Sequence, residues 1–351
     1  MTLRSGKNKF YTNLTIIFIF LFGLAVTVFI VSKQVLFSPK AQVTSLQNLG
    51  IKVATVKYYS TSYNLAELEG IINQLVAVHP DLDLVVTPEY ALYKNFYSPT
   101  VVTPITFNQQ YIEGVGEIYT VALGQDSLFG VSTIKMIQNV AKQKQINFVL
   151  GTVPEKMLDN YIFNSQLIIN KDGYIVGIRR KTFDIRPTET TEAYNFALNS
   201  VKSYILSTKD NNYFSILPII CGERFDINLM AKAANLNVDV LVGSDQEADY
   251  QMAAVTQSVQ NNNFNPSLYG WTSVIRDNFI AKYVNQYKAV KIGGYFVLSE
   301  GGLKESGIIS LTNPPIPLDS FESTDKWFVA RLASRTQTLA PRCNYFEFKV
   351  Q

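Results

Sequence analysis

From Ile51 onward the chain alternates short apolar runs with stretches of helical period, and that rhythm restricts it to an α/β domain. "IKVATVKYYS" (Ile51–Ser60) reads as a strand, "LAELEGIINQLVAV" (Leu65–Val78) as an amphipathic helix, and "LDLVVTPE" (Leu82–Glu89) as a buried strand with Glu89 at its end. Tyr90–Gln125 has no clear period and carries several Pro, Gly and Thr residues, which predicts a long surface excursion, either a lid over a pocket or a surface that meets a bilayer. Helix returns over Ser132–Gln145 and strand over Ile146–Glu155. Tyr161–Lys181 reads as two strands turning at Lys171-Asp172-Gly173, where the Asp-Gly pair suits positive φ, and Lys181 ends the second. After an irregular stretch come the strand "YFSILPIIC", a helix over Phe225–Leu236 and the strand Val238–Ser244. A helix of about five turns follows within Tyr269–Gly293, then strands at "YFVLSEGG" and "ESGIISLT". No repeat and no low-complexity linker divides this body.

Ahead of it, Leu14–Val31 is an uncharged apolar run of 18 residues, about the length that crosses a bilayer core. Arg4, Lys7 and Lys9 precede the run, and Lys33 and Lys40 follow it. That balance leans toward a cytoplasmic N-terminus and an exported body. A cleaved signal peptide is the rival, but no small-x-small site follows; a buried core helix would need a polar face that the run lacks. The division is therefore a short cytoplasmic N-terminus (1–13), a transmembrane anchor (14–31), a linker (32–48) and one soluble domain (49–351).

At 351 residues, 47% of them hydrophobic, the chain can bury a large core, which excludes a disordered protein. The net charge of +3 is spread with interspersed signs, so no basic run invites a nucleic acid. With only Cys221 and Cys343 there is no disulfide scaffold. One histidine, His79, and no CxxC or HExxH spacing leave too few soft ligands for zinc, and no cofactor motif stands out.

Glu89, Lys181 and Cys221 each stand where an apolar strand gives way to polar chain, and in α/β folds such ends collect at one sheet edge, where ligands bind. Taken singly, a strand-end Glu or Lys is a solvated boundary and a strand Cys is packing. Their joint appearance in "DLVVTPE", "GIRRK" and "IICGERF" resembles the nitrilase superfamily of carbon-nitrogen hydrolases, in order and spacing, over about residues 50–312. The resemblance implies a four-layer α-β-β-α sandwich, often dimerised through its outer helices, and a Glu-Lys-Cys triad.

A free thiol has a pKa of about 8.5, so a nucleophilic Cys221 needs a base or a nearby positive charge. Glu89 can be the base. Lys181 near the sulfur would favour the thiolate and then stabilise the oxyanion that forms when sulfur attacks a carbonyl or nitrile carbon. The backbone N–H of Gly222 can join that oxyanion site, and the missing side chain there lets the chain swerve around the sulfur. The competing Cys-His pairing would have to recruit His79 from the turn "VHPD". Glu189, eight residues past Lys181, matches the second glutamate that many members carry, with Glu192 in reserve and an exposed loop carboxylate as the alternative.

Phe183 and Gly222 stand where members often have His and an aromatic residue, and Asp226 where proline is common, so the likeness fixes the triad better than the substrate. Residues beyond Asn313 have no counterpart, and Cys343 among them reads as structural or incidental. Two activities fit. One is an anchored amidase or nitrilase that opens an amide or nitrile through a thioester or thioimidate. The other is acyl transfer from an acyl donor, as in the apolipoprotein N-acyltransferases, which share the domain but have a multi-helix membrane portion. An inactive binding protein on the same fold is the third reading.

Overall fold

The structure, a computed structural model, describes residues 50–58, 64–93, 104–125, 130–157, 161–233, 236, 238–246, 290–301, 306–310 and 320–332. In chain order the elements are β1 (Lys52–Val56), α1 (Leu65–Val78), β2 (Leu84–Val86), β3 (Phe107–Ile112), β4 (Gly116–Val121), α2 (Val131–Lys144) and β5 (Asn147–Met157). Next come β6 (Tyr161–Ile169), β7 (Ile175–Arg180), α3 (Thr191–Asn199), β8 (Tyr204–Ser207), β9 (Tyr213–Ile220), a 3-10 turn (Cys221–Phe225) and α4 (Ile227–Ala233). The chain closes with β10 (Val238–Asp245), β11 (Val290–Glu300), β12 (Gly307–Ser310), β13 (Ser320–Ser323) and β14 (Trp327–Arg331).

The strands form a nine-stranded sheet, ordered β13-β14-β1-β2-β5-β6-β7-β4-β3, and a five-stranded sheet, ordered β12-β11-β10-β9-β8. Strand alternation explains how they pack. Val53, Leu84, Val86 and Val149 of the large sheet share one apolar layer with Ile216, Val240, Val242 and Val297 of the small one. Their sequence neighbours Ala54, Val85, Phe148 and Leu150 point the other way, into a layer with α1 and α2. Leu217, Leu241 and Phe296 likewise face Leu229 and Ala233 of α4. Helix, sheet, sheet, helix is the order of layers, as the nitrilase resemblance implies.

Local chemistry sets the elements. Asn64 caps α1 by accepting from the Glu67 N–H at 3.3 Å, and Leu68, Ile71, Ile72, Leu75 and Val76 form its buried stripe. Each of these side chains contributes about 2 kcal/mol of burial. The helix ends at His79, ahead of Pro80. Strands β1, β2 and β5 run parallel and are buried on both faces, which is why they read as apolar runs rather than alternating ones. At the β6–β7 turn only Gly173, with φ of 83°, takes positive φ.

Two expectations are corrected. Much of Tyr90–Gln125 is an antiparallel hairpin, β3 with β4, on the edge of the large sheet. Its strands escaped notice because β3 is polar and exposed over most of its length, so no apolar run marks it. The irregular stretch before β9 holds α3 and β8. The region beyond Asn313 supplies β13 and β14, and β14 pairs along the whole of β1. The predicted anchor Leu14–Val31, the linker, Cys343 and nearly all of the helix in Tyr269–Gly293 lie outside the described residues. Among the described residues no helix is long and apolar enough to cross a membrane.

Candidate active site

Parallel pairing brings strand ends together. The chain leaves β2 into Thr87-Pro88-Glu89, leaves β7 directly into Lys181, leaves β9 into Cys221, and ends β10 with Asp245. The first two come from the large sheet and the last two from the small one, so the site forms where the carboxyl ends of both sheets meet.

The Lys181 Nζ donates to Glu89 Oε1 at 2.9 Å and to Asp184 Oδ2 at 2.5 Å. The Asn164 amide donates to the same Glu89 oxygen at 2.7 Å, and Tyr93 donates to Asn164 at 2.8 Å, which fixes the amide. Phe183 lays its ring against the Lys181 ammonium, with Nζ 4.4 Å from the centroid. The Cys221 Sγ and one carboxylate oxygen each from Glu89 and Asp245 lie within 4.8 Å of one another. Glu89 and Lys181 are sealed, at 1% and 2% exposure, whereas Cys221 is only partly covered. Cys221 is thus the least covered residue of the three.

The turns are held tightly. Cys221 itself takes φ of 48°, so the swerve after β9 occurs at the cysteine, whereas Gly222 has no positive φ; this corrects the expected role of the glycine as the pivot. A strained residue at a strand-to-helix turn is held by its surroundings. Here the anchor is Glu223, fully buried, whose carboxylate accepts from the Ile220 N–H at 2.8 Å, the Thr182 N–H at 2.7 Å and Arg179 at 2.8 Å. One side chain thereby ties the cysteine turn to the lysine turn. On the glutamate side, a Cβ on Gly151 would sit 1.6 Å from the Pro88 carbonyl oxygen, so β5 can approach that turn only as glycine.

Burial pushes the Glu89 carboxyl upward, and the Lys181 ammonium beside it only partly offsets this. Burial works to lower Lys181, yet Glu89, the cysteine and Asp184 carry it well above the ordinary lysine value. The Cys221 thiol is pushed well up by burial, then by Asp245 and Glu89, with Lys181 pulling the other way. Lys181 acts in the direction the sequence suggests, but it is outweighed. The fold thus favours the protonated thiol, with one carboxylate oxygen each of Glu89 and Asp245 within 4.8 Å of the sulfur. Its proton must leave as the sulfur attacks.

Glu89, Cys221 and Asp245 have the atoms to ligate a cation, but the Lys181 ammonium already stands against Glu89 in that role. Glu189 is exposed and accepts from the Asp184 N–H at 2.6 Å, one residue link from the lysine. Glu192 lies exposed in the first turn of α3, where it complements the helix terminus. His79 sits at the amino ends of β1 and β2, with Nδ1 3.3 Å from Lys52 Nζ and Nε2 3.3 Å from Glu322, so the Cys-His pairing is overturned.

Asn164, Asp184, Glu223 and Asp245 were missed. Asp245 carries the same signal as the other three, an ionisable residue at the end of an apolar run. Asn164 begins "NSQ", three polar residues buried within β6.

The carbon-nitrogen hydrolase family model matches residues 42–266. Among solved structures, Nit3 of Saccharomyces cerevisiae, a member of branch 10 of the nitrilase superfamily, is similar with a TM-score of 0.51 at 16% identity, covering 82% of this chain and 92% of its own. A carbon-nitrogen hydrolase of Helicobacter pylori G27 gives 0.48 at 14% identity (80% and 88% covered). An amidase of Nesterenkonia sp. AN1 gives 0.47 at 13% (81% and 93%). No curated protein sequence matches the chain.

Proposed function

The chain belongs to the carbon-nitrogen hydrolase family, and from that premise we propose that it opens a small amide or nitrile with Cys221 as nucleophile, Glu89 as proton carrier and Lys181 as oxyanion partner. One observation carries this reading: the Cys221 sulfur stands within 4.8 Å of a sealed carboxylate that is itself 2.9 Å from a sealed ammonium. Sulfur attack on the carbonyl carbon places negative charge on oxygen, and a preorganised ammonium in a water-poor site stabilises that charge more than it stabilises the neutral ground state. The N–H of Gly222, in the first turn of the 3-10 segment and so without an intrahelical acceptor, supplies a second donor. Collapse expels the amine, and water resolves the thioester.

Leu14–Val31 would tether this domain to a membrane, with the catalytic body on the exported side. The alternative acceptor is an amine instead of water. The placement of Glu189, hydrogen-bonded to the Asp184 that holds Lys181, is compatible with either acceptor.

The test is intact-mass analysis of the full chain incubated with small amides, nitriles and phospholipid acyl donors. The reading expects an acyl adduct from an amide or nitrile, decaying in water and absent in Cys221→Ala. An adduct from phospholipid alone, stable until an amine is added, would replace it with acyl transfer. No adduct from any donor would sink both and leave the inactive binding protein.

A further inference from the structure

Between β7 and α3 the chain makes a turn that is pinned at both ends to β6. The Lys181 N–H donates to the Asn164 carbonyl at 2.9 Å, and the Arg186 N–H donates to the Ile162 carbonyl at 3.1 Å. Inside the turn Asp184 takes φ of 60°, a left-handed conformation uncommon for a residue with a side chain, and its N–H donates to the Glu189 carboxylate at 2.6 Å. That backbone carries the Asp184 carboxylate back to the Lys181 Nζ, 2.5 Å away.

An ammonium has three hydrogens to donate. Two of those on Lys181 go to Glu89 at 2.9 Å and to Asp184 at 2.5 Å. Held by two fixed acceptors, the group cannot spin about its Cε–Nζ bond, so the direction of the third N–H is set. The Phe183 ring, with its centroid 4.4 Å from Nζ, narrows the remaining approach.

The two acceptors do not keep their charge alike. Glu89 lies within 4.8 Å of the sulfur, and in the proposed reaction it receives the thiol proton. It then becomes a neutral acid, and its charge-assisted bond to Lys181 weakens just as the oxyanion develops. Asp184 stands outside the cluster of Glu89, Cys221 and Asp245 and takes no proton in that reaction.

We propose that Asp184 is a positioning residue, which keeps the third N–H of Lys181 aimed at the substrate oxygen while Glu89 is protonated. This rests on the thioester reading and deepens it. As the sulfur pair forms the S–C bond, the S–H proton passes to Glu89 and the carbonyl π pair moves onto oxygen, where Lys181 donates to it. Asp184 leaves that balance unchanged and acts through the lysine alone.

The test compares two reactions at one sulfur in the full chain. p-Nitrophenyl acetate acylates Cys221 through an oxyanion and releases p-nitrophenolate. Iodomethane methylates the same sulfur by displacing iodide from a saturated carbon, with no oxyanion. Asp184→Gly removes the carboxylate while leaving the turn free to keep its positive φ, and Asp184→Asn keeps an acceptor oxygen without the charge. In Asp184→Gly the limiting rate of first-turnover nitrophenolate release should fall more than about tenfold, with the half-saturating ester concentration within about threefold. Methylation, mapped on the peptide containing Cys221, should stay within about threefold, since Glu89 still holds the ammonium in the resting state. Asp184→Asn should fall between Asp184→Gly and the unmodified protein.

Acylation by Asp184→Gly within about twofold of the unmodified protein would overturn the idea. So would an equal fall in both reactions, which is what a merely structural aspartate would give. Should thermal unfolding show that Asp184→Gly does not fold, Asp184→Asn decides by the same pair of rates. An unmodified protein that is methylated at Cys221, yet releases no more nitrophenolate than Cys221→Ala, would instead defeat the thioester reading itself.

Discussion

The two ends of the parallel strands carry similar side chains put to different use. At the carboxyl ends, Glu89, Lys181 and Asp245 are sealed around Cys221, a residue only partly covered. At the amino ends, Lys52 and Arg331 pair with Asp81 at 2.6 and 2.8 Å, and His79 faces Glu322, with Asp81 half exposed. The carboxyl-end group holds its charges out of water, where their mutual fields are strong, and so the Glu89 carboxyl, the Lys181 ammonium and the Cys221 thiol are all displaced upward. The amino-end group is screened by solvent, and its pairs tie down surface turns. The difference is burial rather than residue type, and it separates a reactive cluster from an ordinary ionic surface.

The contrast breaks most severely at Glu223. Glu223→Ala would leave Arg179 and two backbone N–H groups buried without their acceptor, a loss of about 3–5 kcal/mol in urea unfolding, together with the alignment of Cys221 and Lys181. Gly151→Ala should cost about 1–3 kcal/mol and lower the acylation rate, because the added methyl displaces the Pro88-Glu89 turn. A loss of stability with unchanged acylation would show that the turn tolerates movement.

The two ends should also differ in the sign of their response to pH. The fold raises the Glu89 carboxyl, so this group favours the folded state below the ordinary glutamate range and loses that advantage as pH rises through its raised value. Glu89→Gln should therefore gain in melting temperature relative to the unmodified protein between acid and neutral pH. Glu322, lowered first by its hydrogen bond from Trp327, contributes above the ordinary glutamate value and loses that contribution in acid. Glu322→Gln should lose its deficit as pH falls. Equal slopes in the two variants would erase the distinction. The smallest effect belongs to Asp81→Asn, where loss of two solvent-screened pairs should cost about 1 kcal/mol or less.

Much of this organisation is legible in the sequence, for a physical reason. Strands buried on both faces must be apolar, so β2, β9 and β10 announce themselves and their ends mark where polar chain begins. That is how Glu89, Lys181 and Cys221 stand out. Strands on the sheet edge have no such constraint. The polar β3 could not be recognised from apolar periodicity, and β13, solvent-facing over most of its length, was equally silent. Asn164 and Glu223 were missed because their value lies in partners 75 and 41 residues away, which only the folded chain reveals. The turn at Cys221 was misassigned because glycine is the usual residue for positive φ, whereas here the network around Glu223 holds the cysteine in it.

The central claim is that sulfur, carboxyl and ammonium act as one reactive group, and site mapping of a trapped acyl adduct tests it most directly. Protein quenched during turnover of an amide should carry one acyl group on the peptide containing Cys221, with Cys343 unmodified, and Lys181→Met should abolish the adduct. Turnover that continues in Cys221→Ala, or an acyl group found only elsewhere in the chain, would contradict the account.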